Sequence, residues 1–207
     1  MFTNWDGFCF LRFYFFIMRV LKLNKNASDK LIVHLRLLEI AAINFKYSIG
    51  LSDTILFDGL KINYPAGMIW GKHYANKKEL TLTEEEEKIG QTCLQHCASY
   101  LCVLQIDRAF EELKSRGLVS EDNFFEQACK ITSVIRNTFA HNPYDPTWQI
   151  KPNDKDKYFK LENIIYLDTK GLEGERVLRD HYGGPLAILR LLEYAMKLLK
   201  QVQKNVD

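Results

Sequence analysis

The chain has 207 residues, 47% of them hydrophobic and 26% charged, with a formal net charge of +2. That length and balance suit one domain with a substantial core and exclude wholesale disorder. So small a net charge also excludes a globally basic nucleic-acid binder, so an RNA partner would have to meet a local basic patch.

The five cysteines are Cys9, Cys93, Cys97, Cys102 and Cys129. Their number is odd, no CxxC pair occurs, and three fall inside one helical pattern. This is the usage of reduced thiols in a cytoplasmic protein, not of a disulfide framework.

The chain opens on "FCFLRFYFFIMRVLKL", intensely aromatic but interrupted by Arg12, Arg19 and Lys22. A membrane span wants about 20 largely uncharged apolar residues, and a signal peptide puts its positive charge before the apolar run. Neither pattern is met, so no membrane association is expected. Residues 1–17 read either as an extra strand or, the preferred reading, as an irregular, non-native extension ahead of a natural start at Met18. Residues 18–207 read as a single domain.

A first helix is expected from about Ser28 to Ile49, with Leu31, Leu35, Leu38, Ala42 and Phe45 at helical spacing. Gly50 to Leu80 carries glycines, Pro65 and short β-branched or aromatic runs, and reads as an irregular excursion with a strand or two. In "TLTEEEEKIG", Thr83 caps and Glu86 completes a capping box, with four glutamates at the positive end of the dipole. The second helix then runs roughly Thr83 to Arg116, with Ile89, Cys93, Cys97, Tyr100, Leu104 and Leu113 as its apolar stripe and Gly117 as its stop.

The third helix is expected to start at a Ser120 cap, to stack Phe124, Ala128, Ile131, Ile135 and Phe139, and to end at about His141, because Pro143 disfavours helix at Asn142. Two strand-like runs around "KPNDKDK" predict a β-hairpin at about residues 146–168. A fourth helix opens after Gly184 with Pro185 in its first turn. Its core stripe is Leu189, Leu192, Met196, Leu199 and Val202, with Arg190, Glu193, Lys197, Lys200 and Lys204 on the solvated face. The fold expected is a mainly α bundle of four or more helices with a small β-hairpin insertion.

Chemistry is sparse along most of this frame. "CLQHC" puts Cys93 and Cys97 one turn apart with His96 between them, but a structural zinc wants four ligands and no second spaced pair exists. Core packing is the favoured reading for both thiols. "WGKHYANKK" mixes Lys72, His73, Lys77 and Lys78 with Trp70, Tyr74 and nearby Tyr64, a composition suited to phosphates and stacked bases as well as to a solvated loop. No glycine-rich phosphate loop, GxSxG elbow or HExxH pair is present.

The densest chemistry lies in "VIRNTFAHNPYDPTW". Arg136, Asn137 and His141 crowd the end of a strongly apolar helix, immediately before a proline. Asn137 and His141, four apart, share a helical face, whereas Arg136 and His141 project about 140° from one another. A histidine in the last turn also interacts favourably with the helix dipole, and Arg136 could pair with an acidic residue, which is the structural alternative.

"IRNTFAH" resembles the signature of the HEPN superfamily, R-x4-6-H with a polar residue after the arginine. A longer stretch, "GLVSEDNFFEQACKITSVIRNTFAHN", is similar to a segment of mannitol operon repressor-like proteins, which are helical regulators. The specific resemblance covers about 25 of the 207 residues. It implies a HEPN-like bundle that acts as a homodimer on RNA, without metal or other cofactor, in a toxin or defence system. Arg136, Asn137 and His141 would then be catalytic, Lys72, His73, Lys77 and Lys78 would contact RNA, and an antitoxin or regulatory protein would be a further partner. HEPN toxins paired with nucleotidyltransferase antitoxins carry a tyrosine two residues after the histidine; here the candidate for modification, Tyr144, stands one place later. The second resemblance implies the alternative, a non-catalytic regulatory or interaction module.

Overall fold

The computed structural model describes residues 27–57, 66–70, 72–119 and 122–206. The expectations for residues 1–17, Met18, Tyr64 and Ser120 lie outside the described residues. Among the described residues the chain is mainly helical, with four long helices and two small antiparallel sheets. Among the described residues no helix is long and apolar enough to cross a membrane.

Helix α1 spans Ala27–Phe57 and so runs eight residues past its expected end at Ile49. Gly50 sits inside it, since a helical glycine costs only about 1 kcal/mol and packing elsewhere along the helix outweighs that. The excursion that follows holds a hairpin, β1 (Gly67–Trp70) with β2 (His73–Asn76), and a one-turn helix, α2 (Lys77–Leu80).

Helix α3 (Glu84–Ser115) begins as its sequence predicts. The Glu86 carboxylate accepts from the Thr83 amide at 2.7 Å, and the Thr83 hydroxyl accepts from the Glu86 amide at 3.3 Å. Its last turn leads to Gly117 at φ 61°, the left-handed stop that glycine supplies without a Cβ clash. The apolar stripe, however, is rotated from the expected one. Ile89 is exposed and Cys93, Cys97, Tyr100 and Leu104 are half-buried, while Ala98, Cys102, Val103, Ile106, Ala109, Phe110 and Leu113 face inward. The cause is position: α3 packs against α1, α4 and α5, so most of its circumference is covered. Small residues lie where the neighbouring helices approach closely, and several larger ones lie on the rim.

Helix α4 (Asn123–His141) is capped by Asp122, whose carboxylate accepts from the Phe125 amide at 2.8 Å. Phe125 is accordingly the buried ring of the first turn and Phe124 is exposed against Tyr194, the reverse of the expected stripe. Helix α5 (Gly184–Val206) has Pro185 in its first turn as expected. Ile188, Leu191, Leu192, Ala195, Leu199 and Val202 are buried, whereas Leu189 and Met196 are half-buried at the edge of the stripe.

Between α4 and α5 the β insertion is registered differently from the sequence expectation. The hairpin is β3 (Tyr158–Leu161) with β4 (Ile165–Asp168), alternating buried and exposed, and its turn places Asn163 at φ 61°. "KPNDKDK" is not the hairpin turn; it holds a 3-10 turn at Pro152–Asp154. The run 146–150 pairs instead with 173–177. The Trp148 amide donates to the Glu175 carbonyl at 2.8 Å, and the Val177 amide to the Pro146 carbonyl at 3.0 Å. Trp148 is fully buried and its indole N–H donates to His181 Nδ1 at 2.7 Å, which fastens the insertion to the start of α5.

Candidate functional site

The last two turns of α4 carry the candidate residues, and the buried stripe through Ile131, Ile135 and Phe139 fixes their directions. Arg136 and Asn137 fall half-buried on its flank, and His141 is exposed at its end. Asn142 is extended (φ −154°, ψ 96°), the geometry that a residue before proline adopts. Its side-chain oxygen accepts from the amides of Tyr144 at 3.2 Å and Asp145 at 3.3 Å, a local turn that carries the chain off the helix. His141 therefore stands free at the break: among the described residues no hydrogen bond or ion pair engages it.

Arg136 is held firmly. Its Nη1 donates to the carboxylate of Asp107 on α3, and its Nη2 donates to Asn137 Oδ1 at 2.9 Å. The Glu111 carboxylate lies 3.9 Å from Nη1. Asp107 is buried, and burial pushes its pKa above the ordinary aspartate value. The Arg136 guanidinium opposes that rise, Glu111 adds to it, and Lys151 opposes it. Of the five guanidinium N–H groups, these contacts leave several directed elsewhere, and the Asn137 amide nitrogen keeps both of its donors.

The structure thus joins Arg136 with Asn137; His141 shares a helical face with Asn137 but not with Arg136, and among the described residues no hydrogen bond joins it to either. It also supplies a residue the sequence reading missed. Asp107 lies in "VLQIDRAF", a carboxylate set inside an otherwise inward-facing apolar run, and that embedding was the available signal. The immediate surroundings of Arg136 are acidic, Asp107 and Glu111 against Lys151, and not the basic cleft that a phosphate site would be expected to have.

A second imidazole borders the break. His96 on α3 has its Nδ1 3.3 Å from the Tyr144 carbonyl and its ring edge-on to Phe139, centroids 6.0 Å apart. Donation to that carbonyl places the proton on Nδ1 and leaves Nε2 as the acceptor. Burial lowers the pKa of His96; the Tyr144 carbonyl and Asp145 oppose this, and Arg176 and Arg179 add to it. Both arginines are engaged, Arg176 with Asp145 at 2.8 Å and Arg179 with Gln95 at 2.7 Å.

The remaining candidates fall elsewhere. Lys72, His73, Lys77 and Lys78 are exposed on the β1–β2 hairpin and α2, and among the described residues no hydrogen bond or ion pair ties them to α4. Tyr144 is 64% exposed beside His141. Cys93 and Cys97 are half-buried on the outer flank of α3, contrary to the expected core packing, and among the described residues no third ligand joins them. The core thiol is Cys102, which donates to the Ala41 carbonyl at 3.3 Å and whose pKa burial pushes up to about 12.

In comparisons with known proteins, no family model, no curated protein and no solved structure matches the chain.

Proposed function

We propose that the chain is a HEPN-type, metal-independent endoribonuclease that works as a homodimer, with Arg136, Asn137 and His141 as its catalytic residues. The observation that supports this reading is the contrast within two turns of α4. A guanidinium is fixed in place by a buried carboxylate and a neighbouring amide, and an unengaged, exposed imidazole stands one turn beyond it.

In this reading the ribose 2′-OH attacks the adjacent phosphorus, leaving a 2′,3′-cyclic phosphate and a 5′-OH. His141 exchanges the proton, a role that contributes about 10²- to 10⁴-fold. Arg136 donates its free N–H groups to the phosphorane oxygens, and Asp107 acts as a positioning residue that holds the fork in place. Because Asp107 neutralises the charge, Arg136 contributes aligned donors more than net attraction. The Asn137 amide is free to donate to ribose or phosphate.

Acid and base together want two histidines, and each protomer offers one at the end of this helix. A two-fold partner supplies the other. Leu94 and Leu101, 43% and 36% exposed on the outer flank of α3, sit with half-buried Cys97 and Leu104 and offer the apolar surface for it.

The Arg136–Asp107 pair also favours a second reading, a non-catalytic regulatory module in which Arg136 and Asn137 only brace α4 against α3. Incubation of a mixed single-stranded RNA pool in EDTA separates the two. The expected result is products with cyclic-phosphate ends, lost in His141→Ala and in Arg136→Lys, the latter keeping a cation for Asp107. A folded dimer that leaves the pool intact sinks the nuclease reading.

A further inference from the structure

The β1–β2 hairpin has no part in the chemistry proposed for α4, yet its surface is unusual. It packs against the one-turn helix α2, and its residues alternate between two faces as strand residues do. Ile69 and Tyr74 are a cross-strand pair on one of those faces, 70% and 64% exposed. An aliphatic and an aromatic side chain paired in water contribute little to folding, and such a pair marks a surface that meets something else. The Tyr74 ring also has a set position. It lies across Gly67 on the same face, where a Cβ would stand 2.6 Å from the tyrosine oxygen and 2.8 Å from Cε2. A side chain at 67 would push the ring away, so the glycine lets it lie over the strand while most of it stays open to solvent.

Charge surrounds this ring with one sign. From Ala66 to Lys78 the sequence has no Asp or Glu, but it has Lys72, His73, Lys77 and Lys78, all four exposed. Lys72 stands in the hairpin turn, two residues before Tyr74, and Lys77 and Lys78 open α2 at the hairpin base, so cations bracket the ring at both ends. Lys77 and Lys78 also line an open groove of about 540 Å³ with Thr81, Leu82 and Thr83. The glutamates that open α3 bound the positive surface beyond that groove.

We propose that this hairpin is a docking surface for single-stranded RNA, with one base stacked on Tyr74 and the phosphates on either side met by Lys72 and by Lys77 with Lys78. An aromatic platform flanked by cations holds unpaired bases without reading their sequence. A duplex offers phosphates but hides its base faces, and an acidic peptide offers charge but no flat face for the ring. A single strand uses both features. The surface sets the substrate class, unpaired RNA, and takes no part in the chemistry. The choice of RNA over DNA rests on the ribonuclease reading; the stacking surface itself does not.

The test is fluorescence anisotropy of the full chain with a labelled 2′-O-methyl oligoadenylate, which 2′-OH attack cannot cleave. The expected result is saturable binding, weakened about tenfold in Tyr74→Ala and within about twofold of the parent in Tyr74→Phe, which keeps the ring. Gly67→Val leaves Tyr74 in place but displaces its ring, and should weaken binding several-fold with helical circular dichroism unchanged. Replacing Lys77 and Lys78 together by Gln should lower the slope of log affinity against log salt by about 1.4. No binding by the parent overturns the proposal. So does parent-like affinity in Tyr74→Ala, or equal affinity for the same sequence in a duplex, since either reduces the hairpin to general electrostatic attraction. A polyglutamate peptide that competes as well as the RNA overturns it in favour of an acidic protein partner. Cleavage in EDTA separates the two readings. Binding that depends on Tyr74 in a protein that leaves RNA intact sinks the nuclease and keeps this surface, whereas cleavage by a protein whose RNA affinity ignores Tyr74 does the reverse.

Discussion

Arg136 and Asp107 answer to each other, and the consequence is a pH dependence with a definite sign. Burial raises the Asp107 pKa in the folded state, so the fold binds a proton more readily there than the unfolded chain does. Stability contributed by this group is therefore present at low pH and is lost as pH rises from the ordinary aspartate range through the raised folded value. Arg136 limits that loss. Arg136→Met is expected to cost about 2–3 kcal/mol near neutral pH, less than for a fully buried pair because Arg136 is partly exposed, and to cost less near pH 5. Adding Asp107→Asn should restore most of it; urea unfolding at both pH values checks the cycle. His141→Ala makes the opposite pattern: stability within about 0.5 kcal/mol of the parent, and RNA cleavage down at least about 10²-fold. The positions of Arg136, Asn137 and His141 were legible in the sequence because local signals, a helical repeat and a proline break, set them. Asp107 was not, since its role exists only once α3 is packed on α4.

At the scale of elements, local chemistry again separates what could be read from what could not. The Thr83–Glu86 box, the Gly117 stop and the Pro185 start are each written within a few residues, and each stands where the sequence puts it. Ser120 and Asp122 are both good caps, and the choice between them turns on which phenylalanine faces the core, a tertiary matter. The strand partner of 146–150 was misjudged for the same reason: residues 173–177 are distant in sequence and carry no strand alternation of their own. The extension of α1 past Ile49 yields a direct check. A Cβ on Gly50 would meet nothing within 4 Å, so Gly50→Ala is expected to stabilise the protein by about 0.5–1 kcal/mol in thermal unfolding. No change would mean that α1 does not continue through this position in solution.

Among the described residues the molecule is organised around α3, which packs against α1, α4 and α5. Its inward arc builds the core, one flank supplies Asp107, and the outer flank presents Leu94 and Leu101. If a second copy covers that outer flank, Leu101→Arg should shift the protein from dimer to monomer in light scattering while leaving its helical circular dichroism unchanged. Cleavage should fall with the dimer, since the second imidazole departs with the partner. A monomeric parent protein would remove both expectations together.

Trp148 gives the molecule an optical reporter. Its indole is sealed from water and its N–H is held by the His181 imidazole. Emission from such a ring is blue-shifted, and it moves to the red when the 146–150 segment peels from 173–177. With Trp5 and Trp70 replaced by phenylalanine, fluorescence reads the docking of the insertion while circular dichroism reads the helices, and the order in which the two signals change on unfolding tells whether the insertion leaves first.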